Sequence, residues 1–162
     1  MTQSDMSELS ESQYSCEECG EDVKEDDDFC TNCGLVFRDD VFCSEHASQP
    51  AEGVCLICLR PYCGECGTRA GKLFFCDQHA TYEIFERSAC IFNSPDNQLS
   101  QIAFQVLEEG GYHPFLVPRP IVPVTTTGRL TIDVEPGPHL VLVPFREVLG
   151  AKELLNRLDI RQ

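Results

Sequence analysis

Twelve side chains able to bind a metal fall in six short pairs in the first half of this 162-residue chain: Cys16/Cys19, Cys30/Cys33, Cys43/His46, Cys55/Cys58, Cys63/Cys66 and Cys76/His79. Two residues separate the members of each pair, a spacing at which one tight turn aims both side chains at the same ion. A tetrahedral zinc site takes four such ligands, so twelve fill three sites with none left over. Cys90 is the only cysteine outside the set. The chemistry expected is structural zinc, three ions per chain, because a catalytic zinc keeps one position open and four protein ligands close it. Cys-x2-Cys pairs also occur as redox centres, but a reactive thiolate needs an exposed, electropositive setting, whereas the repeated pairing supplies full tetrahedral sets. The four thiolates from Cys16 to Cys33 suit a single iron as well as zinc.

Eleven cysteines also fit a disulfide-rich secreted protein. The odd count and the two pairs ending in histidine argue against it, and the polar, acidic stretch from Met1 to Gln13 lacks the basic start and apolar core of a signal peptide. A reducing, cytoplasmic setting is the expectation. No apolar run approaches the roughly 20 residues that cross a bilayer. The net charge of -15 is concentrated at one end: residues 1–40 hold 13 acidic and 2 basic side chains, net -11. With no broad basic surface to neutralise phosphates, generic DNA or RNA binding is disfavoured.

The elements that must position the ligands differ along the chain. Residues 1–15 read as a disordered acidic tail. From Cys16 to Cys33 the spacing is Cys-x2-Cys-x10-Cys-x2-Cys, with Gly20 and Gly34 directly after each pair, where positive backbone angles turn the chain around the metal. Glu21 to Asp28 forms a polar hairpin tip between them. This pattern resembles the zinc ribbon, over residues 16–40 as a module. In the next module, residues 41–80, the spacing is Cys-x2-His-x8-Cys-x2-Cys-x4-Cys-x2-Cys-x9-Cys-x2-His, and it leaves two arrangements open, sequential sites or a cross-brace. Its four pairs, with Gly67 after Cys66, resemble short prokaryotic B-box zinc fingers. That resemblance implies a cross-brace in which Cys43, His46, Cys63 and Cys66 bind one zinc and Cys55, Cys58, Cys76 and His79 the other. The nine residues before Cys76 and the terminal Cys/His pair depart from the B-boxes of tripartite-motif proteins. Val54, Leu56, Ile57, Tyr62, Leu73, Phe74 and Phe75 are the expected core around the metals, too small to stand without them.

After His79 cysteine nearly vanishes and ordinary periodicity appears. A short helix is expected over Ala80–Arg87, then an extended segment over Ala89–Phe92. Ser94-Pro95-Asp96 reads as an N-cap with proline at the first helical position. Leu99, Ile102, Ala103, Val106 and Leu107 form one helical face that Gly110-Gly111 ends. Strands follow over Tyr112–Val117, Arg129–Val134 and His139–Val143, with a turn at Pro136-Gly137-Pro138, and a last helix runs over Arg146–Leu158 with Val148, Leu149, Ala151, Leu154, Leu155 and Leu158 inward. The fold class is therefore α+β: small zinc modules, then over 81–162 a split α/β sandwich of one sheet and two helices. The extended start at Ala89–Ser94, the helix ending at Glu108–Tyr112, the Leu140–Pro144 strand and the helix through Ala151–Leu155 resemble small prokaryotic ferredoxin-like domains assigned to signal transduction. The resemblance implies sensing or protein contact. Cys90, His113 and His139 read as core or surface residues, and Arg119, Arg129 and Arg146 as solvated charge.

These readings converge on a non-catalytic interaction or signal-transducing adaptor that binds a protein partner through zinc-fixed loops and its C-terminal domain, with homodimerisation through that domain's sheet as a further expectation. The alternative is a transcription-associated nucleic-acid binder using the ribbon. No nucleophile–base pair or phosphate loop points to an enzyme.

Overall fold

The computed structural model describes residues 14–119 and 139–161. Residues 1–13 of the expected acidic tail, the strand over 129–134, Arg129 and the turn at 136–138 lie outside them, while Tyr14 and Ser15, the last two residues of that expected tail, form a strand because Asp22 and Val23 pair with them. The chain divides into two compact units, Met1–Ala80 and Thr81–Gln162.

The first unit is built from short strands between ligand pairs. β1 (Tyr14–Ser15) and β2 (Asp22–Val23) form an antiparallel hairpin, β3 (Gly53–Val54) pairs with β4 (Pro61–Tyr62), and β5 (Gly67–Ala70) pairs with β6 (Leu73–Cys76). Such brief pairings cannot hold alone. Backbone hydrogen bonds tie them together: Val54 N donates to Gly34 O at 2.8 Å, Phe74 N to Cys33 O at 3.1 Å and Leu56 N to Phe74 O at 3.1 Å. The four-cysteine module and the double-ligand module thus share one structure through the second knuckle of the former.

Phe74 is the centre of that structure. Its ring is 1% exposed and lies where a Cβ on Gly53 would come within 2.4 Å of it and one on Gly67 within 2.5 Å. Hydrogen at these two positions lets the backbone close on the ring from two sides, and the Arg69 guanidinium lies 5.7 Å from the ring centroid. Val54, Leu56, Ile57, Tyr62 and Phe75 are buried around it, as expected; Leu73 is only half-buried.

In the second unit β7 (Ile84–Phe85) turns through Glu86, at φ 52°, into β8 (Ser88–Asn93). The short helix expected over Ala80–Arg87 is therefore replaced by a hairpin, because Ile84 and Phe85 gain ladder partners in Ala89 and Ser88 that a lone helical turn cannot offer. After β8 come α1 (Asn97–Glu109), β9 (Phe115–Pro118), β10 (His139–Pro144), a 3-10 turn at Phe145–Glu147 and α2 (Val148–Arg157). The sheet order is β7-β8-β10-β9, with every pair antiparallel. β8 and β9 are therefore parallel, joined by α1 and separated by β10, the split β-α-β arrangement consistent with a ferredoxin-like fold. β7 takes the sheet edge beside β8. Both helices pack on the sheet and against each other.

α1 is capped by Asp96, whose side chain accepts from Gln98 N at 2.8 Å, rather than by Ser94. Pro95 thus precedes the cap instead of filling the first helical position. The buried face also differs from the expected one. Ser100, Ala103 and Leu107 are inward, while Leu99 and Ile102 are 40% and 46% exposed. Small Ser100 and Ala103 let the helix approach the sheet closely, and the Ser100 hydroxyl donates to His139 O at 2.9 Å. In α2 the inward set is Val148, Ala151 and Leu155, with Leu149 and Leu158 exposed. Gly111, at φ 84°, follows the end of α1 as the glycine pair implied.

Candidate metal centres

The same local device presents most ligand pairs. In the knuckle opened by Cys16, Gly20 N donates to Cys16 O at 2.8 Å; Gly34 N to Cys30 O, Leu59 N to Cys55 O and Ala80 N to Cys76 O repeat the bond at the same length. Gly20 and Gly34 are at φ 76° and 81°, the left-handed region their place in the sequence suggested. Leu59 occupies the equivalent place at φ 56°. A branched side chain there is strained by about 1–2 kcal/mol, and nothing in its sequence context announced a knuckle residue.

The twelve residues gather into three clusters, Cys16/Cys19/Cys30/Cys33, Cys43/His46/Cys63/Cys66 and Cys55/Cys58/Cys76/His79, with the ligand atoms of each all within 4.8 Å of one another. The second module is thus cross-braced, its first and third pairs together and its second and fourth together. Tetrahedral Zn–S bonds of about 2.3 Å place sulfurs about 3.8 Å apart. Cys16 Sγ and Cys33 Sγ are 3.6 Å apart, as are Cys19 Sγ and Cys30 Sγ. A disulfide would need about 2.0 Å, and all the described cysteines are free. Both histidines face their sulfurs through Nδ1, the ring nitrogen nearer the backbone: His46 at 3.3 Å from Cys66 and 3.6 Å from Cys63, His79 at 3.2 Å from Cys76 and 3.5 Å from Cys55.

Proton affinities within each cluster are pulled apart, because crowded neighbouring thiols cannot all ionise together. In the third cluster the hydrogen bond from Cys55, aided by the Tyr62 hydroxyl and working against burial, lowers the Cys58 thiol to about 4. The same bond with Cys58, together with burial, pushes Cys55 up. At Cys43 burial is the largest single influence and works against ionisation, yet the backbone N–H groups of Cys63, Glu45 and His46 together bring the thiol down to about 6. Burial and the neighbouring Cys43 and Cys63 push Cys66 up to about 12. In the first cluster burial raises Cys30 and Cys33; at Cys19 it is outweighed by the Asn32 side chain and the Glu21 backbone, leaving about 7. A dication removes the conflict, since every thiol can then ionise beside it. The donor sets and geometry fit three Zn2+ ions, one per cluster, each supplied with four protein ligands. Zinc there would close loops and supply folding free energy.

The clusters differ in access. His46 is exposed and Cys66 half-buried, whereas Cys55, Cys76 and His79 are buried. Outside the ligands, the Tyr62 hydroxyl stands 3.7 Å from Cys58 Sγ. Burial, then Cys58 itself, pushes Tyr62 up, so it stays protonated and donates to that sulfur. The sequence reading counted Tyr62 only as core.

The other singled-out residues lie away from the clusters. Cys90 is half-buried and raised by burial and then by Glu83, with its Sγ 3.5 Å from Phe92 O. Glu147 accepts from His113 twice, from the backbone N and from Nδ1, each at 2.7 Å. His139 N donates to Asn97 Oδ1, and its buried Nδ1 has no hydrogen-bond partner among the described residues. Arg119 is paired with Glu83 at 2.7 Å, and Arg146 is exposed. No described helix is long and apolar enough to cross a membrane. Compared with family models, with curated proteins and with solved structures, the chain finds no match.

Proposed function

We propose that this chain is a non-catalytic, zinc-dependent interaction protein of the cytoplasm, an adaptor that binds a partner protein through loops fixed by its metal centres. The observation carrying this reading is that each cluster holds four protein ligands, which leaves no coordination position for a substrate or an activated water. The metals then serve the surfaces around them. Exposed apolar side chains sit close to the ligand pairs: Phe42 beside Cys43, Leu59 beside Cys58 and Tyr14 two residues before Cys16. The likeness of 16–40 to zinc ribbons, of 41–80 to B-box fingers and of 81–162 to ferredoxin-like signalling domains supports the same reading, with the second unit as a sensing or dimerising domain. Tagged chain, zinc-loaded or stripped with a chelator, is incubated with native lysate, and partners are quantified by mass spectrometry. Partner recovery is expected only with the zinc-loaded chain; equal recovery after verified zinc loss would refute the role. Gel shifts on mixed DNA and RNA pools at low salt are expected to show no binding, because the N-terminal 40 residues carry net -11.

A further inference from the structure

The four-cysteine module has a surface its metal does not use. β1, β2 and the stretch after Gly34 enclose an open groove of about 520 Å3, with Tyr14, Val23, Leu35, Val36 and Phe37 as its apolar lining. Val23 and Leu35 also pack on Cys16, Cys30 and Cys33, so the floor of the groove is the back of the metal cluster. Tyr14 and Phe37 remain 47% and 38% exposed. The volume lies in the range of sites that take a small molecule or a few side chains of a peptide.

The rim is charged, and in one sense. Glu17, Glu25 and Asp27 border the groove against a single Lys24. Asp28 and Asp40 nearby are answered by Arg38, at 2.9 and 2.6 Å, whereas Glu17 and Glu25 have no ion-pair partner among the described residues. A purely apolar occupant would take these carboxylates out of water with nothing in return, and an anionic one would be repelled. Lys and Arg satisfy both surfaces at once, since their stems cover apolar walls while their heads reach carboxylates. Residues 1–13 of the chain itself hold Asp5, Glu8 and Glu11 and no Lys or Arg, so they carry the wrong charge to fill the groove.

We infer that this groove docks an extended basic segment of a partner protein, with a large apolar side chain lodged between Tyr14 and Phe37 and flanking Lys or Arg residues on Glu17, Glu25 and Asp27. The inference rests on the interaction role proposed above and names the chemistry of the partner. Complementary charge speeds the encounter and sets the register, while the apolar anchor holds the complex.

The test uses the full zinc-loaded chain and three short fluorescent peptides, read by anisotropy at low and at physiological salt. One has Leu-Phe flanked by arginines, the second has Glu for each Arg, and the third has Gly-Ser for Leu-Phe. The first is expected to bind and the others to bind at least about tenfold more weakly. Replacing Glu17→Lys with Glu25→Lys, or Tyr14→Ala with Phe37→Ala, is expected to weaken the first peptide about tenfold or more. The control pair Asp26→Lys and Asp39→Lys changes net charge equally but lies outside the groove, and should weaken binding much less. Each variant is checked for three bound zinc ions, so that a folding defect is not read as lost binding. Equal weakening by both charge-reversed pairs, indifference to the aromatic substitutions, or equal binding of all three peptides would overturn the groove. If zinc-dependent capture of partners persists in the groove variants, the interaction role stands and the groove alone is wrong; if capture is independent of zinc, the role itself fails.

Discussion

At the scale of single residues, the side chains that surround the ligands shape the clusters as much as the ligands do. Tyr62 is 5% exposed and its hydroxyl faces Cys58 Sγ, a thiol lowered to about 4 by its hydrogen bond with Cys55 and by that hydroxyl. Loss of such an outer partner typically costs about 10–100-fold in metal affinity. Tyr62→Phe keeps the ring and removes only the donor, so zinc affinity of the third cluster is expected to fall about tenfold in competition with a chromophoric chelator; unchanged affinity would show the contact to be incidental. Leu59 offers the opposite case. Relief of about 1–2 kcal/mol of left-handed strain exceeds the roughly 0.5–1 kcal/mol of added chain entropy that glycine brings. Because the side chain is 42% exposed, little burial is lost. Leu59→Gly is expected to make the first unit more resistant to thermal unfolding, and a lower melting temperature would contradict the strain argument. Arg38 is held by two carboxylates yet all three groups are more than half exposed, so solvent screens the pair and Arg38→Ala should leave the melting temperature almost unchanged.

At the scale of elements, what could be read from the sequence separates from what could not by the range of the physics involved. Ligand pairs, the glycines after Cys19 and Cys33 and the glycine stop of α1 depend on neighbours a few residues away, and so they are legible, whereas the cap falls at Asp96, two residues past the expected Ser94. The cross-brace was suggested only by resemblance, since spacing allowed sequential sites as well. The slot around Phe74 depends on contacts with Gly53 and Gly67, each closing from a different strand, and no local pattern marks it. The inward face of α1 differs from the expected one because large apolar residues at 99 and 102 outweigh a serine in any periodicity, while the fold prefers close approach and a hydroxyl bonded to β10. The Glu86 turn stands where periodicity suggests a helix because its partners in β8 are a tertiary matter. The slot makes a sharp prediction. In Gly67→Ala the new methyl meets Cζ of a ring with nowhere to retreat, and the overpacking should cost about 1–3 kcal/mol in chemical denaturation. Gly71→Ala, at φ 62° but with open space around it, should cost only the backbone strain of about 1 kcal/mol. If the two substitutions prove equal, the slot is not a packing constraint.

At the scale of the whole molecule, the two units draw stability from different sources. Every cluster belongs to the first, and its strands are mostly two residues long. The second buries an apolar core of Ala89, Ile91, Phe92, Leu140 to Val143, Phe145, Val148 and Leu155, and its described residues form no such cluster. Chelation is therefore expected to abolish the amide dispersion of residues 14–79 in two-dimensional NMR while the signals of β8, α1, β10 and α2 persist. Collapse of both sets would mean that the second unit also depends on metal. Elemental analysis of the purified chain should give three zinc ions, and the exposed His46 makes the second cluster the first to lose its ion under mild chelation.

The interleaving of the second and third clusters also imposes a schedule on biosynthesis. A chain leaving the ribosome completes its first ligand set when Cys33 emerges, its second at Cys66 and its third only at His79, while Cys55 and Cys58 wait inside the loop that the second set has already closed. Ligand sets are thus completed in a fixed order, and a nascent chain halted between Cys66 and Cys76 would present two complete ligand sets and, in Cys55 and Cys58, a pair of thiols still without its partners.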